Sequence, residues 1–396
     1  MLRVLKFGGS SVATTSKIMD IAKHLKTFKE KGDSLVVVVS AMGKTTNNLI
    51  ELSKEIDKNP IKSEMDNLLS TGEIVSTALL SIALNKLGVK AISFSGARAG
   101  IVTTNHFNNA FIESVNPSQI YKYLKKDYIV IVAGFQGVTK DDMITTLGRG
   151  GSDTTAVALA SALKCVCEIY TDVDGVYTVD PRVYPLAKKL DEITYDEMME
   201  MSVNGAKVLE TRSVELAKKY NVELYLGKTL ETEKRGTFVM SKIENFEKMK
   251  ISGLSVKDNI SYVCINLKDG NLCDFAQSVS DIVDKLEMVN VLSTSNDKCL
   301  SFVLPDEKVN DVVLKIYGDL NGYKFKVNAQ QNFTKLTLVG NGLSTHKYFM
   351  TKTLSLLNNA CIKIEGLSLN EISMSILISS EHKVKAIEIL SKEFGL

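Results

Sequence analysis

The sequence predicts an α/β protein in which an open, mainly parallel sheet is sandwiched by helices and followed by two smaller α+β modules of βαββαβ order. Three observations carry this expectation. Along residues 1–240, short apolar runs rich in β-branched residues each run into a loop of glycine, serine or aspartate and then into a helical pattern. From about Ser241 the strands and helices become shorter. The pattern that begins there returns from Lys335, at a period of roughly 70 residues. The expected division is therefore 1–240, 241–330 and 331–396, in keeping with a chain too long for one core.

The 396 residues carry 48 basic and 46 acidic side chains, a net charge of +2 with no long block of one sign. This balance argues against an extended nucleic-acid or membrane surface and leaves small molecules and further copies of the chain as partners. The opening MLRVLKFGGSSV lacks an apolar stretch suited to a signal peptide. No later run approaches the roughly 20 apolar residues of a membrane span, so a cytoplasmic location is expected. Cys165, Cys167, Cys264, Cys273, Cys299 and Cys361 form no C-x-x-C pair and have no neighbouring histidine. They are read as buried thiols, with no metal site.

Leu2 to Phe7 is a strand that runs into the turn Gly8-Gly9-Ser10-Ser11. Lys6, at its end, is either a surface lysine or an ammonium that reaches phosphate oxygens held by the turn's amides. Lys17 to Lys31 sets Ile18, Ile21, Ala22, Leu25 and Phe28 on one helical face, which should cover the sheet. Leu35 to Val39 reads as a strand buried on both faces, ending in Ser40-Ala41-Met42-Gly43. Helices follow at 48–56 and 61–87. The second carries Glu73 on a mostly apolar surface, either as a solvated residue or as a carboxylate that binds an ammonium in a cleft. Val89 to Phe94 and Tyr128 to Val132 are further strands, and His106 in the loop between them is read as structural.

The chain is organised around Thr145 to Leu163, TTLGRGGSDTTAVALASAL, which joins a glycine turn to a helix. Gly148, Gly150 and Gly151 let a ligand approach the main chain, and Ser152 or Asp153 is expected to cap the helix that begins at Thr154. Free amides and the positive helix end make an anion site, with Arg149 as a bidentate donor and Asp153 as a carboxylate beside it. Cys167 to Val173 is the next strand, ending in Thr171-Asp172. Lys207 to Lys219 is an amphipathic helix, and Val222 to Leu226 with Phe238 to Met240 closes the unit as a hairpin. Ligand-type residues thus fall repeatedly at strand ends, where open α/β sheets bind their ligands.

In the tail, strands at 262–267, 289–292, 300–304 and 325–327 with helices at 275–286 and 309–317 give one βαββαβ module. Elements at 336–339, 348–357, 362–369, 372–378 and 384–394 repeat its first five. The loops Lys268-Asp269-Gly270-Asn271 and Gly340-Asn341-Gly342-Leu343 are suited to an amino acid's carboxylate, unless the modules serve only to dimerise.

These residues carry a family resemblance. Lys6-Phe7-Gly8-Gly9-Ser10-Ser11-Val12 resembles the K-F-G-G-[ST]-S-V signature of the monofunctional aspartokinases, TTLGRGGSDTTA resembles their second signature, and the tail is similar to paired ACT modules. The resemblance implies an amino-acid-kinase-type sheet that transfers the γ-phosphoryl group of ATP to the side-chain carboxylate of L-aspartate, giving 4-phospho-L-aspartate. That is the first step towards lysine, threonine and methionine. It implies that Lys6 and Asp153 are catalytic and that Ser40, Thr46, Glu73, Arg149, Gly150, Gly151 and Ser152 hold aspartate. It places the nucleotide on Lys6, Phe7, Gly8, Gly9, Ser10, Thr171, Asp172, Tyr177, Arg182, Lys207 and Val208. Mg-ATP is then a co-substrate, with no tightly bound cofactor and no residue assigned to metal.

Asn105 stands where such relatives often have Asp, and Leu226-Gly227-Lys228-Thr229 lacks an arginine often found there. Asn290 stands where lysine-sensing relatives commonly carry Asp, which leaves the effector open between lysine, favoured here, and threonine. Asp274 is assigned to an effector's side-chain ammonium, with Asn290, Thr294 and Ser295 as polar ligands. The tandem modules are expected to associate as a dimer or a dimer of dimers. Two other readings are open: a related acid kinase acting on glutamate or acetylglutamate, and an amino-acid sensor with an inactive kinase domain.

Overall fold

The computed structural model describes residues 1–206, 208–231, 235–241, 250–283, 286–294, 298–344 and 347–396. They form two compact units. One comprises Met1–Val176, Lys189–Ser202 and the described residues from 208 to 241; the other comprises Tyr177–Lys188, Val203–Ala206 and those from 250 to 396.

The first unit opens with β1 (Leu2–Phe7), α1 (Thr15–Glu30), β2 (Ser34–Val39), α2 (Thr45–Ile56), α3 (Lys62–Lys86) and β3 (Ala91–Phe94). Then come β4 (Ile101–Thr103), β5 (Ile112–Val115), α4 (Ser118–Leu124), β6 (Ile129–Ala133), β7 (Gln136–Val138), β8 (Ile144–Thr146), α5 (Gly151–Leu163) and β9 (Val166–Thr171). β10 (Glu192–Thr194), α6 (Tyr195–Val203), α7 (Thr211–Tyr220), β11 (Leu224–Lys228) and β12 (Thr237–Met240) complete it. Eight strands form one sheet in the order β10-β12-β11-β9-β1-β2-β6-β3, parallel at every pairing except β11 with β12.

The continuous apolar runs have a direct cause. Leu5, Phe7, Val37, Val39 and Ile131 point to one face, against Ile18, Ile21 and Leu25 of α1 and Leu80 and Leu84 of α3. The intervening Val4, Val36, Val38 and Val130 are equally buried, on the face where α5 packs against β1, β2 and β9. With both faces covered, alternation disappears from the sequence. Truncating a side chain such as Leu25 to alanine costs about 2–5 kcal/mol. α3 is long and apolar enough to cross a membrane by length and composition. Here one of its faces lies in the core, where Leu69, Leu80 and Leu84 are buried, while Ile74, Val75 and Ile82 on the same helix are exposed.

The structure corrects three readings. α5 begins at Gly151, with Gly150 at its cap in the left-handed region, φ 68°; neither Ser152 nor Asp153 caps it, because Asp153 turns to Lys6. α7 begins only at Thr211, after Glu210 in extended conformation. Cys273 and Cys361 are exposed, the first on the outer side of a helix's opening turn, the second at a positive φ just past a helix end. A separate four-stranded sheet, β5-β4-β7-β8, was not anticipated.

The second unit contains β13 (Ile251–Leu267), α8 (Leu272–Ile282), β14 (Glu287–Ser293), β15 (Lys298–Pro305), α9 (Asp306–Asp319) and β16 (Phe325–Gly340). α10 (Lys347–Asn359), β17 (Gly366–Leu369), β18 (Ser373–Ser379) and α11 (Lys383–Phe394) follow. The strands make one antiparallel sheet, β14-β15-β13-β16-β18-β17. β13 and β16 are each long enough to serve both repeats. Val263, Ile265 and Leu267 of β13 lie in the first core, with Phe275, Phe302 and Ile316. Ile251 and Leu254 lie in the second, with Leu338, Ile376 and Leu390. Ile251–Lys257 thereby supplies the strand that the second repeat lacks in chain order, and residues 330–331 fall inside β16. At the join, Lys257 and Lys335 stand opposite each other, and Glu287 bridges them, 2.7 Å from Lys257 and in contact with Lys335.

Candidate active site

Because β1, β2, β6, β9 and β11 are parallel, the loops after them gather at one edge of the first unit's sheet. Lys6 sits near the end of the central strand, in register with Val38 of β2 and Ile169 of β9. It is 8% exposed, and its Nζ lies 2.5 Å from Asp153 Oδ1 in the first turn of α5. The pair makes a charge contact whose angles fall short of a directed hydrogen bond.

Two glycines set the walls. A side chain at Gly9 would bring its Cβ to 2.8 Å from the Ala41 carbonyl, so the turn after β1 rests backbone on backbone against the loop after β2. Gly150, left-handed at φ 68°, would place a Cβ 2.1 Å from Glu210 Cγ. Only glycine fits there.

These loops enclose a cavity of about 660 Å³. Lys6, Gly9, Ser40, Thr46, Glu73 and the run Arg149 to Asp153 all line it, so every residue assigned to aspartate and both assigned to catalysis reach one space. Met65, Leu69 and Phe135 add apolar wall. Glu73 is buried, and its Oε1 accepts the Ala41 amide at 3.1 Å. Its Oε2 is buried with no partner among the described residues, and burial pushes the carboxyl up to about 7. The Arg149 side chain is exposed to the cavity, and no hydrogen bond or ion pair holds it among the described residues. The cavity therefore offers an anionic and a cationic group, each with bonding capacity to spare.

Of the residues assigned to the nucleotide, the Gly8 turn is joined to the end of β9 by Gly8 N–H to Tyr170 O at 3.3 Å. Thr171 and Asp172 follow there, hydrogen-bonded to each other at 2.9 Å. Tyr177 and Arg182 belong to a segment of the second unit, where Arg182 Nη2 pairs with Asp180 at 2.7 Å. Val208 lies half-buried ahead of α7, and Lys207 lies outside the described residues. In the second unit Asp274 is exposed in the first turn of α8, Asn290 is exposed on β14 and Thr294 follows that strand; Ser295 is outside the described residues.

Three residues escaped the sequence reading. Thr229 shares a hydrogen bond of 2.7 Å with Ser11 and donates to Thr171 O at 3.0 Å, linking the loops after β1, β9 and β11. Asp66 is fully buried on α3 and accepts from Asn108 and Thr146. Arg212 of α7 donates to Leu147 O and Ala110 O. Only Asp66 left a signal: it lies seven residues before Glu73, two turns along the same helix face.

Residues 1–228 match the amino acid kinase family and residues 336–394 an ACT domain. The chain is 40% identical to the aspartokinase of Geobacillus stearothermophilus, an alignment that spans 99% of this chain and 97% of that one. Two solved structures of E. coli aspartokinase III share the fold at 23% identity. The R-state in complex with aspartate and ADP gives a TM-score of 0.80 over all of both chains, and the T-state in complex with lysine and aspartate gives 0.78 over 99% of both.

Proposed function

The chain belongs to the aspartokinase family, and from that premise we propose how its cavity divides the work of phosphorylating aspartate. The observation that carries this reading is the Lys6–Asp153 pair standing in one cavity with Glu73 and Arg149. Glu73 takes the substrate's α-ammonium on Oε2, and Arg149 takes the α-carboxylate with its two-pronged donor. Opposite charges at the two ends orient the zwitterion. The side-chain carboxylate is then left to face the Gly8–Ser10 turn, where the phosphates of ATP are bound with Thr171 and Asp172 beside them.

A carboxylate nucleophile is ionised at neutral pH, so no general base is needed. One of its oxygens attacks the γ-phosphorus, the bond to the β,γ-bridging oxygen breaks, and ADP departs with that electron pair. Lys6 neutralises charge on the transferring group, and Asp153 fixes the ammonium where it is required. Mg²⁺ is taken to enter as a complex with the nucleotide, and no residue of the chain is assigned to it. We place the enzyme in the cytoplasm.

The unsatisfied Glu73 oxygen favours an acceptor with a free ammonium over an N-acetylated acid. Trapping acyl phosphates with hydroxylamine, across aspartate, glutamate and acetylglutamate with Mg-ATP, tests the reading. Aspartate is expected to dominate; preferred turnover of another acid overturns the substrate, and no turnover with any acid supports a sensor in place of an enzyme.

For the second unit, we assign Asp274, Asn290, Thr294 and Ser295 to an inhibitory amino acid, lysine before threonine. β14 is an edge strand that exposes Val289, Val291 and Leu292, which supports self-association through this sheet.

A further inference from the structure

Thr146 and Leu147 lead β8 into the Gly148-Arg149-Gly150 turn, and their backbone groups are fully engaged. Thr146 N–H donates to Asp66 Oδ2 at 2.9 Å and Thr146 O accepts from Ala110 N–H at 2.9 Å. Leu147 N–H donates to Phe135 O at 2.8 Å and Leu147 O accepts from Arg212 Nη1 at 2.6 Å. Asp66 and Arg212 also hold the neighbouring loop. Asp66 accepts the Asn108 amide on both oxygens, at 3.1 and 2.9 Å, and the Thr146 hydroxyl at 2.5 Å. Arg212 Nη2 donates to Ala110 O at 2.7 Å, with its guanidinium 4.7 Å from the centre of the Phe111 ring.

Neither residue lines the cavity, and neither has an ion-pair partner among the described residues. Each spends its charge on main-chain groups of the two segments that place Asn108, Thr146 and Arg149 against the substrate space. A fully buried carboxylate without a counter-ion is expensive to keep. This one is held by donors that all belong to the walls of the site. Gly148 and Gly150, left-handed at φ 75° and 68° on either side of Arg149, make that turn compliant, so its position depends on how the residues before it are anchored.

We infer that Asp66 and Arg212 are positioning residues that act through Arg149, fixing the guanidinium where it meets the α-carboxylate of the substrate. The inference rests on the proposed binding of aspartate. The aspartate side of the site then depends on these two residues and the ATP side does not, since the Gly8 turn is anchored by Tyr170 instead.

The test is steady-state kinetics of the full chain on Asp66→Asn, Arg212→Lys, Arg149→Lys and the two double variants with Arg149→Lys. Asp66→Asn turns an amide donor towards amides that need an acceptor, and Arg212→Lys keeps the charge but loses the fork. Each is expected to raise KM for aspartate at least about tenfold while KM for ATP stays within about twofold. In the Arg149→Lys background each should add less than about threefold, because the group they position has already gone. Equal rises in both KM values, or full additivity with Arg149→Lys, overturn the inference while leaving the aspartokinase reading intact. No aspartate turnover by the unaltered chain overturns both. If Asp66→Asn does not fold, Arg212→Lys, at a half-buried site, decides the matter by the same two criteria.

Discussion

Glu73 accepts the Ala41 amide at 3.1 Å, a bond that ties α3 to the loop after β2 and leaves the other carboxylate oxygen for a ligand. Burial raises this carboxyl to about 7, so near neutral pH the empty site holds a partly protonated Glu73. In the proposed binding, aspartate's ammonium pairs only with the ionised form. Binding at pH 7 should therefore release roughly half a proton, and below pH 7 the affinity should fall about tenfold per pH unit. Calorimetry in buffers of different ionisation enthalpy measures the proton, and Glu73→Gln should abolish both effects. A release independent of Glu73 would remove it from the ammonium site.

Lys6 and Asp153 are 8% and 9% exposed, so removing either alone buries an unpaired charge. Lys6→Met is expected to lower kcat by about 10³ and to cost roughly 3–5 kcal/mol in stability. Adding Asp153→Asn should restore most of the stability and none of the activity. Recovery of kcat in the double variant would show that the ammonium serves the fold and not the chemistry.

How far the sequence speaks depends on whether a feature is local. The KFGGSSV and TTLGRGGSDTTA segments declare themselves because a backbone cradle must be written in consecutive glycines, and Leu35–Val39 because burial on both faces removes every polar residue. β4, β5, β7 and β8 are three or four residues long, too short for any periodicity to register. The N-terminus of α5 was misread for a physical reason: Asp153 is a good capping residue, but pairing with Lys6 outweighs the cap. Ile251–Lys257 cannot be assigned to the second repeat from chain order, since its partner strand lies some 80 residues on. Arg212 looks like any helix arginine until the chain brings Leu147 and Ala110 to it.

Where the two ACT repeats join, Glu287 stabilises two lysines that face each other across β13 and β16. Burial would raise its carboxyl, but hydrogen bonds and charge from Lys257 and Lys335 pull it from 4.5 down to about 2. A depressed carboxyl contributes stability that is complete above its unfolded value, near 4.5, and is lost as pH falls through about 2. Glu287→Gln should lower the Tm of this unit at pH 7, because the lysines then repel without a bridge. The difference in Tm between the two proteins should shrink between pH 4.5 and 2; a constant difference would mean that Glu287 acts by packing and not by charge.

The last expectation concerns control. Asp274, Asn290 and Thr294 are exposed on α8, on β14 and just beyond it, in a unit separate from Lys6 and Asp153, to which phosphoryl transfer is assigned above. Lysine would use the Asp274 charge for its side-chain ammonium, whereas threonine has only a hydroxyl to offer and needs none. If lysine inhibits by binding the less active state more tightly, linkage requires aspartate or ATP to weaken lysine binding by the same factor. The measurement is aspartate turnover against lysine, threonine and both together, on the unaltered chain and on Asp274→Ala, with lysine affinity measured at zero and saturating aspartate. Lysine is expected to inhibit, Asp274→Ala to raise its half-inhibitory concentration by about tenfold or more, and threonine to be indifferent to that change. Inhibition by lysine that survives Asp274→Ala would move the effector elsewhere on the sheet. Inhibition by threonine alone would identify the polar groups of β14, and not the Asp274 carboxylate, as what the second unit reads.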